Sequence, residues 1–159
     1  MMELTEIIIY KTARRLVLSM SDGASREHAV ALGSNWAADK AVEGDHATPV
    51  GEFYVCAKNP RSKYFLSLCL SYPNAEDAER GLAAALIDQR EHERILDAIR
   101  LGKIPPQHTR LGGEIYIHGR GESAAPGKDW TRGCIALDDA AMKEVYELSV
   151  IGTRVSILA

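Results

Sequence analysis

The chain has 159 residues, a formal net charge of −3, 46% hydrophobic residues and 26% charged residues. These values are ordinary for a soluble globular protein and predict a single domain over residues 1–159. The slight negative charge argues against a surface built to bind nucleic acid. No apolar run reaches the roughly 20 residues of a membrane-spanning helix. The first residues, MMELTEIIIYKTARR, also lack the features of a signal peptide.

The first half of the chain is dominated by short apolar or alternating runs, which predict β-strands. These runs lie at 6–10, 15–19, 28–33, 51–57 and 64–71. The first two are joined by the polar segment KTAR, as in a hairpin. Asn, Gly, Asp and Pro mark residues 34–50 as a loop, and the segment KNPRSK between the last two runs is predicted to be a turn.

The pattern changes to helical spacing after Pro73. Asn74 is a good N-cap and is followed by acidic residues, so we predict a helical insertion around 75–101. A strand is expected at 115–118, a helix near 139–149 capped by Asp138 or Asp139, and a last strand over Thr153–Leu158. The predicted fold is therefore mainly β, with about eight strands, one helical insertion and one late helix.

One histidine and one cysteine carry the chemistry that the sequence suggests. His118 ends an alternating apolar run, and Cys134 follows Arg132 and Gly133. A thiol is a weak nucleophile until a base or a positive charge removes its proton. A histidine and a cysteine at neighbouring strand ends can meet this need without a metal. We therefore interpret the pair as a cysteine-nucleophile acyl-transfer site.

The other two cysteines are predicted to be structural. Cys56 and Cys69 both lie inside strand-like runs, where a free cysteine usually serves as a small buried hydrophobe. Three cysteines also give no disulfide framework.

The pair His118-Gly119, followed by Thr131-Arg132-Gly133-Cys134-Ile135, resembles the motif of the L,D-transpeptidase catalytic domain (YkuD family). Further matches to the family are Gly44-Asp45, Thr48-Pro49 and Gly51-Glu52-Phe53. Ser71-Tyr72-Pro73-Asn74 and Asp129-Trp130-Thr131 resemble a Gram-negative branch with a DWTxGCIAL variant of the cysteine motif. The resemblance spans residues 6–158. It implies a β-sandwich or flattened barrel with a catalytic cleft at one end, in agreement with the strand count.

The resemblance implies that the substrate is a tetrapeptide stem of peptidoglycan. Cys134 would attack an L-to-D peptide bond, form a thioester and pass the acyl group to an amine, from a neighbouring stem or from a wall-linked lipoprotein. His118 would accept the thiol proton, the carbonyl of Gly119 would orient its ring, and N–H groups near Gly133 and Cys134 would stabilise the oxyanion. Neither a cofactor nor a metal is expected. Such substrates place the protein in the periplasm or cell envelope.

The candidates for the substrate-binding groove are Arg132, Trp130, Thr131, Tyr72 and His46. Packing in the wall of the groove is the alternative for the two aromatic residues, and a surface loop is the alternative for His46. Many family members carry an arginine two residues after the cysteine, where this chain has Ala136. Arg132 would supply the missing charge if it faces the thiol, and would not if it points to solvent.

Three other functions remain open from the sequence. A hydrolase would use the same thioester with water as the acceptor, to trim stem peptides or to cut peptidoglycan–lipoprotein links. A zinc hydrolase could use His118, Cys134 and another histidine, although the chain has no HExxH motif and no paired CxxC. A peptidoglycan-binding module without activity would keep the cleft but would not need the thiol.

Overall fold

A computed structural model describes residues 2–121 and 129–159. Eight strands form one curled sheet in the order β3-β2-β1-β8-β4-β5-β6-β7. The strands are β1 (Leu4–Tyr10), β2 (Arg15–Met20), β3 (Ser25–Ala29), β4 (Gly51–Ser62), β5 (Phe65–Leu70), β6 (Tyr116–His118), β7 (Ile135–Ala136) and β8 (Arg154–Leu158). The helices are α1 (Ala75–Ala83), α2 (Gln89–Arg100) and α3 (Asp139–Leu148). The predicted mainly β fold with a helical insertion and a late helix is confirmed.

The third strand was predicted in the wrong place. β3 ends at Ala29, where its pairing with β2 ends. Beyond it, Ala31 and Gly33 form isolated bridges to Ala136 and Thr131. The apolar residues of 28–33 therefore leave the edge strand and pack against the segment that carries the candidate cysteine.

The predicted turn KNPRSK is instead part of a strand. β4 continues to Ser62, and its pairing with β5 tolerates Pro60 because the register shifts between Asn59 and Ser62. The chain reverses only at Lys63 and Tyr64, so Tyr64 sits at the tip of a long hairpin. β4 also joins the two parts of the sheet, because its first residues pair with β8 and its later ones with β5.

The helical insertion has a small apolar core of its own, separate from the main one. Asn74 caps α1 by accepting from the Asp77 N–H at 2.9 Å, as predicted, and its side-chain amide donates to the Glu52 carbonyl of β4 at 3.2 Å. The insertion buries Ala78, Ile87, Ile95 and Leu111 against one another. The main core lies between the sheet and α3, where Met142 and Val145 are buried. None of the helices in the described part of the chain is both long and apolar enough to cross a membrane.

Replacing Ile95 with alanine tests whether residues 1–159 unfold as one domain. Ile95 is fully buried, so the change should lower the free energy of unfolding by about 2–5 kcal/mol. Unfolding in urea can be followed by far-UV circular dichroism, which includes the helices of the insertion, and by tryptophan fluorescence, which reports on Trp36 in the main core. If the two parts unfold as one domain, both transitions should shift to lower urea by the same amount. Leu101→Ala, at the exposed end of α2, is the control and should change little. Early loss of helical signal with an unchanged fluorescence transition would show that the insertion unfolds on its own.

Candidate active site

The pairing of β6 with β7 places the histidine and the cysteine on one face of the sheet. The strands are parallel, with Ile117 opposite Ile135 and His118 opposite Ala136. Continued by one residue, this register sets Cys134 beside Tyr116. Because residues two apart on a strand point the same way, the side chains of Tyr116, His118 and Cys134 share that face. His118 and Cys134 both line a cleft of about 610 Å³.

His118 is held in a single orientation and in one tautomer. Its side chain is almost fully buried, and Nδ1 lies 2.8 Å from the carbonyl oxygen of Gly119. A carbonyl can only accept, so Nδ1 carries the hydrogen and Nε2 is left to accept a proton. The ring stacks on Tyr64 with centroids 4.3 Å apart, and Trp130 meets it edge-on at 5.9 Å. Burial lowers the pKa of His118, although the bond to Gly119 opposes this effect.

Position 119 requires a glycine for a steric reason. A Cβ there would lie 2.7 Å from Oδ1 of Asp139 and 2.9 Å from the carbonyl of Tyr64. The Gly119 N–H donates to that same carbonyl at 3.0 Å. The residue that orients the histidine is therefore fixed between the β4–β5 turn and the start of α3.

Cys134 is protonated in the resting site. Its thiol donates to the Glu114 carbonyl at 3.4 Å, and its sulfur accepts from the Tyr116 N–H at 3.4 Å. Burial raises the pKa of Cys134 to about 11, with Glu114 acting in the same direction and the Tyr116 N–H and Lys40 acting against it. Since the pKa of His118 is lowered, the pair rests as a neutral thiol and a neutral imidazole at pH 7. A proton transfer must therefore accompany any nucleophilic attack.

The loop that leads to Cys134 is held by internal hydrogen bonds. The Thr131 hydroxyl donates to the Cys134 carbonyl at 2.7 Å and accepts from the Gly133 N–H at 3.1 Å. From the opposite loop, the buried Thr48 hydroxyl donates to the Gly133 carbonyl at 2.9 Å and accepts from the Gly33 N–H at 3.0 Å. These bonds set the position of the cysteine from both sides.

Gly133 is needed for its backbone conformation, and its N–H is not free to stabilise an oxyanion. Its φ is +131°, and a Cβ there would lie 2.7 Å from the Ala47 carbonyl. Its N–H is already bonded to Thr131. Of the two donors predicted from the sequence, the N–H of Cys134 is therefore the remaining candidate for stabilising an oxyanion.

The structure brings four of the five predicted groove residues to the cleft. Trp130, Arg132 and His46 line it with exposed side chains, whereas Thr131 also lines it but is buried in the loop bonds described above. Tyr72 lies elsewhere. It is completely buried and donates to the Leu111 carbonyl at 2.6 Å. Tyr72 therefore packs in the main core and does not line the groove.

Sequence reasoning missed several residues of the cleft. Tyr64 stacks on His118, Glu114 supplies the carbonyl that accepts from the thiol, and Lys40 lies in the buried wall of the cleft. All three come from turns or loops outside the short motifs. Thr48 belongs to the resemblance motif, but only the structure reveals the bonds that its hydroxyl makes.

A second cavity of about 480 Å³ adjoins the cleft. Six residues line both spaces: Lys63, Tyr64, Gln107, His108, Glu114 and Tyr116. The second space also reaches Arg61, Cys69 and Ile104. Cys134 lines only the first space. The second space adjoins the first, and Glu114 lies where they meet.

The remaining cysteines are buried, as the sequence suggests. The Cys56 thiol donates to the Cys69 carbonyl at 3.4 Å, and both residues lie in the β4–β5 hairpin. In residues 2–121 and 129–159, no three side chains of histidine, cysteine, aspartate or glutamate come together to hold a metal ion.

Comparison with known proteins agrees with the motifs and with the fold. The family model of the L,D-transpeptidase catalytic domain (YkuD) matches residues 5–157. No curated protein matches the chain by sequence.

Several solved structures have a fold similar to that of this chain. A helical cell shape determining protein of Campylobacter jejuni, Pgp2, is 24% identical with a TM-score of 0.66, over 97% of this chain and 46% of its own. An L,D-transpeptidase of Mycobacterium smegmatis is 14% identical with a TM-score of 0.59, over 99% of this chain and 59% of its own. L,D-transpeptidase 1 of Mycobacterium tuberculosis is 12% identical with a TM-score of 0.53, over 99% and 63%. The chain thus spans about half to two thirds of these proteins.

Replacing Thr48 with valine should lower the free energy of unfolding, because valine keeps the shape of the side chain but lacks the hydroxyl. The Gly133 carbonyl and the Gly33 N–H would both lose a buried partner, at a cost of about 1–3 kcal/mol in the free energy of unfolding. Thr48→Ser keeps the hydroxyl and should retain most of the stability. Urea denaturation of the three proteins provides the measurement. Equal losses in the two variants would mean that the methyl group of Thr48, and not its hydrogen bonds, carries the effect.

Proposed function

Because the chain belongs to the L,D-transpeptidase catalytic domain family, we propose that it is a peptidoglycan-modifying cysteine acyltransferase. One observation carries this proposal. His118 and Cys134 line the same cleft, and the bond between Nδ1 and Gly119 leaves Nε2 of His118 as a proton acceptor. The substrate class is the tetrapeptide stem of peptidoglycan, and the proposed compartment is the periplasm or cell envelope.

In the first half of the reaction, His118 takes the thiol proton while the sulfur of Cys134 attacks the carbonyl carbon of an L-to-D peptide bond. The oxyanion accepts a hydrogen bond from the Cys134 N–H. His118 then returns its proton to the nitrogen of the departing D-alanine, the C–N bond breaks, and a thioester remains. A neutral resting pair suits this sequence, since each charge forms only as the proton moves.

In the second half, an amine acceptor attacks the thioester. His118 takes a proton from the amine, the C–S bond breaks, and the thiolate regains that proton. Water in place of the amine gives hydrolysis of the same intermediate. The second cavity favours transfer, because it adjoins the cleft that holds the thiol and offers room for a second peptide substrate. A stem-peptide amine is the proposed acceptor, and a lipoprotein lysine is the alternative.

Turnover of purified muropeptides by cysteine variants tests whether Cys134 is the nucleophile. Cys134→Ala should abolish turnover, because the group proposed to form the acyl-enzyme is lost, whereas Cys56→Ala, at a buried position, should retain it. Mass spectrometry would detect loss of D-alanine together with cross-linked products for the transferase, or tripeptide alone for the hydrolase. Turnover should also survive EDTA and be lost to iodoacetamide. Near-normal turnover by Cys134→Ala would overturn the proposal, and loss on chelation with recovery in zinc would favour the zinc hydrolase.

Substitution of Glu114 tests whether the second cavity binds the acceptor amine. Its exposed carboxylate lies where both spaces meet and would attract an acceptor ammonium group. Glu114→Gln should therefore lower the ratio of transfer to hydrolysis by about two- to fivefold, the range of an exposed ion pair. Glu43→Gln is the matched control, since Glu43 lines the first cleft only. Both rates can be read from product masses over a series of acceptor concentrations. An unchanged ratio in Glu114→Gln, or an equal fall in Glu43→Gln, would contradict this role.

A further inference from the structure

No positive charge reaches the Cys134 thiol from position 136, two residues further along the strand. Position 136, where many family members carry arginine, holds a buried alanine that bonds to Ala31. Arg132, the alternative from the sequence, has an exposed side chain. The described residues offer another cation in the same cleft, Lys40, whose side chain is only 4% exposed.

Lys40 is held in place by its neighbours. Its Nζ donates to Oδ1 of Asp45 at 2.9 Å and to the Val42 carbonyl at 3.1 Å. The glycine at position 112 leaves room for it, because a Cβ there would lie 3.0 Å from Cε and 3.4 Å from Nζ of Lys40. Arg80 binds the Lys40 carbonyl at 2.8 Å. The positive charge is therefore fixed inside the wall of the cleft.

Asp45 carries a negative charge beside Lys40. Its carboxylate accepts from the N–H groups of Ala41 (2.9 Å), Val42 (3.1 Å) and Ala47 (3.0 Å). Burial opposes ionisation, but these bonds together with Lys40 hold the pKa of Asp45 below its usual range. Removing one member of the pair therefore exposes the thiol to the full charge of the other.

The loop that carries this pair contacts Gly133, the residue before the cysteine. Ala47, bonded through its N–H to Asp45, points its carbonyl at Gly133, where a Cβ would lie only 2.7 Å away. Fixed charges act more strongly here than in bulk water because the thiol is partly buried in the wall of the cleft. Among the described residues, further titratable groups near the thiol are Glu114 before β6, Tyr116 and His118 on β6, and Cys69 on β5. The cleft is also lined by Lys63, Glu43, His46 and His108, and the ring of Tyr72 lies 5.8 Å from Nζ of Lys40.

We propose that Lys40 is a positioning residue that favours the Cys134 thiolate from the loop side of the cleft, and that Asp45 sets how much of its charge the thiol experiences. The inference uses the proposed function only in taking Cys134 as the nucleophile. It explains how the site can dispense with an arginine at position 136.

The test is the pH dependence of Cys134 alkylation by iodoacetamide, read by peptide mass spectrometry without any peptidoglycan substrate. Lys40→Met removes a cation and should raise the midpoint pH on the order of one unit. Asp45→Asn removes an anion and should lower it. The double variant should return toward wild type, and Arg132→Ala should leave the midpoint in place. Because substrate plays no part, failure here would be separate from failure of the proposed function.

A purely structural role predicts a different pattern. Loosening of the loop would hydrate the thiol in either single variant, so both midpoints would fall. Shifts in the same direction, an unmoved midpoint in Lys40→Met, or a shift in Arg132→Ala alone would each overturn the proposal. If Lys40→Met does not fold by circular dichroism, Lys40→Gln decides instead. It removes the charge but keeps N–H groups that can donate to the Val42 carbonyl and to Asp45, so its midpoint must rise, whereas loosening of the loop would lower it.

Discussion

Desolvation of the reacting pair is the constraint on which the rest of this site depends. Burial disfavours the charged forms of both His118 and Cys134, lowering one pKa and raising the other. Cys134 is therefore not a thiolate at neutral pH, and the thiolate and imidazolium charges must form during the reaction. Groups that stabilise that charge have to be in place beforehand. The Gly119 carbonyl is placed for the imidazolium, and the Tyr116 N–H is placed for the sulfur.

The irregular loop beside Cys134 needs its own supply of hydrogen bonds. Residues 34–50 form no strand with a neighbour to satisfy their backbone groups. Two buried lysines and one threonine replace that ladder. Lys11 donates to the carbonyls of Ala38 and Thr48, Lys40 binds Asp45, and Thr48 ties the loop to Gly133. Burying a lysine is costly unless its charge is bonded, so these contacts couple stability of the loop to the position of the cysteine.

The sequence predicted features that depend on neighbours along the chain. Apolar alternation located most strands, and the short motifs located His118 and Cys134. Asn74 was identified as a cap, and Asp138 was one of two candidates for the cap of α3. Features that depend on distant partners escaped prediction. β4 continues through Pro60 only because β5 pairs with it through a register shift. Tyr72 belongs to a short motif by which the chain resembles its family, yet the motif does not reveal which way its ring points.

Tyr64 and Lys40 show the same limit for the site itself. Tyr64 reaches His118 because the β4–β5 hairpin pairs Ser67 with His118 and turns just beyond it. Lys40 reaches the cleft through a loop whose shape is set by Asp45. Neither residue is close in sequence to the histidine or the cysteine, so no spacing rule could have connected them.

The origin of the positive charge has a chemical consequence. Position 136 lies opposite His118 in the parallel register, so a long cationic side chain there would share a face with the imidazole as well as with the thiol. Such a charge would favour the thiolate but would also weaken the base. A cation on the opposite loop avoids this conflict. Burial and the Gly119 bond are what shift the pKa of His118, whereas Lys40 acts on Cys134. The arrangement lets the nucleophile and its base be adjusted independently, which a neutral resting pair requires.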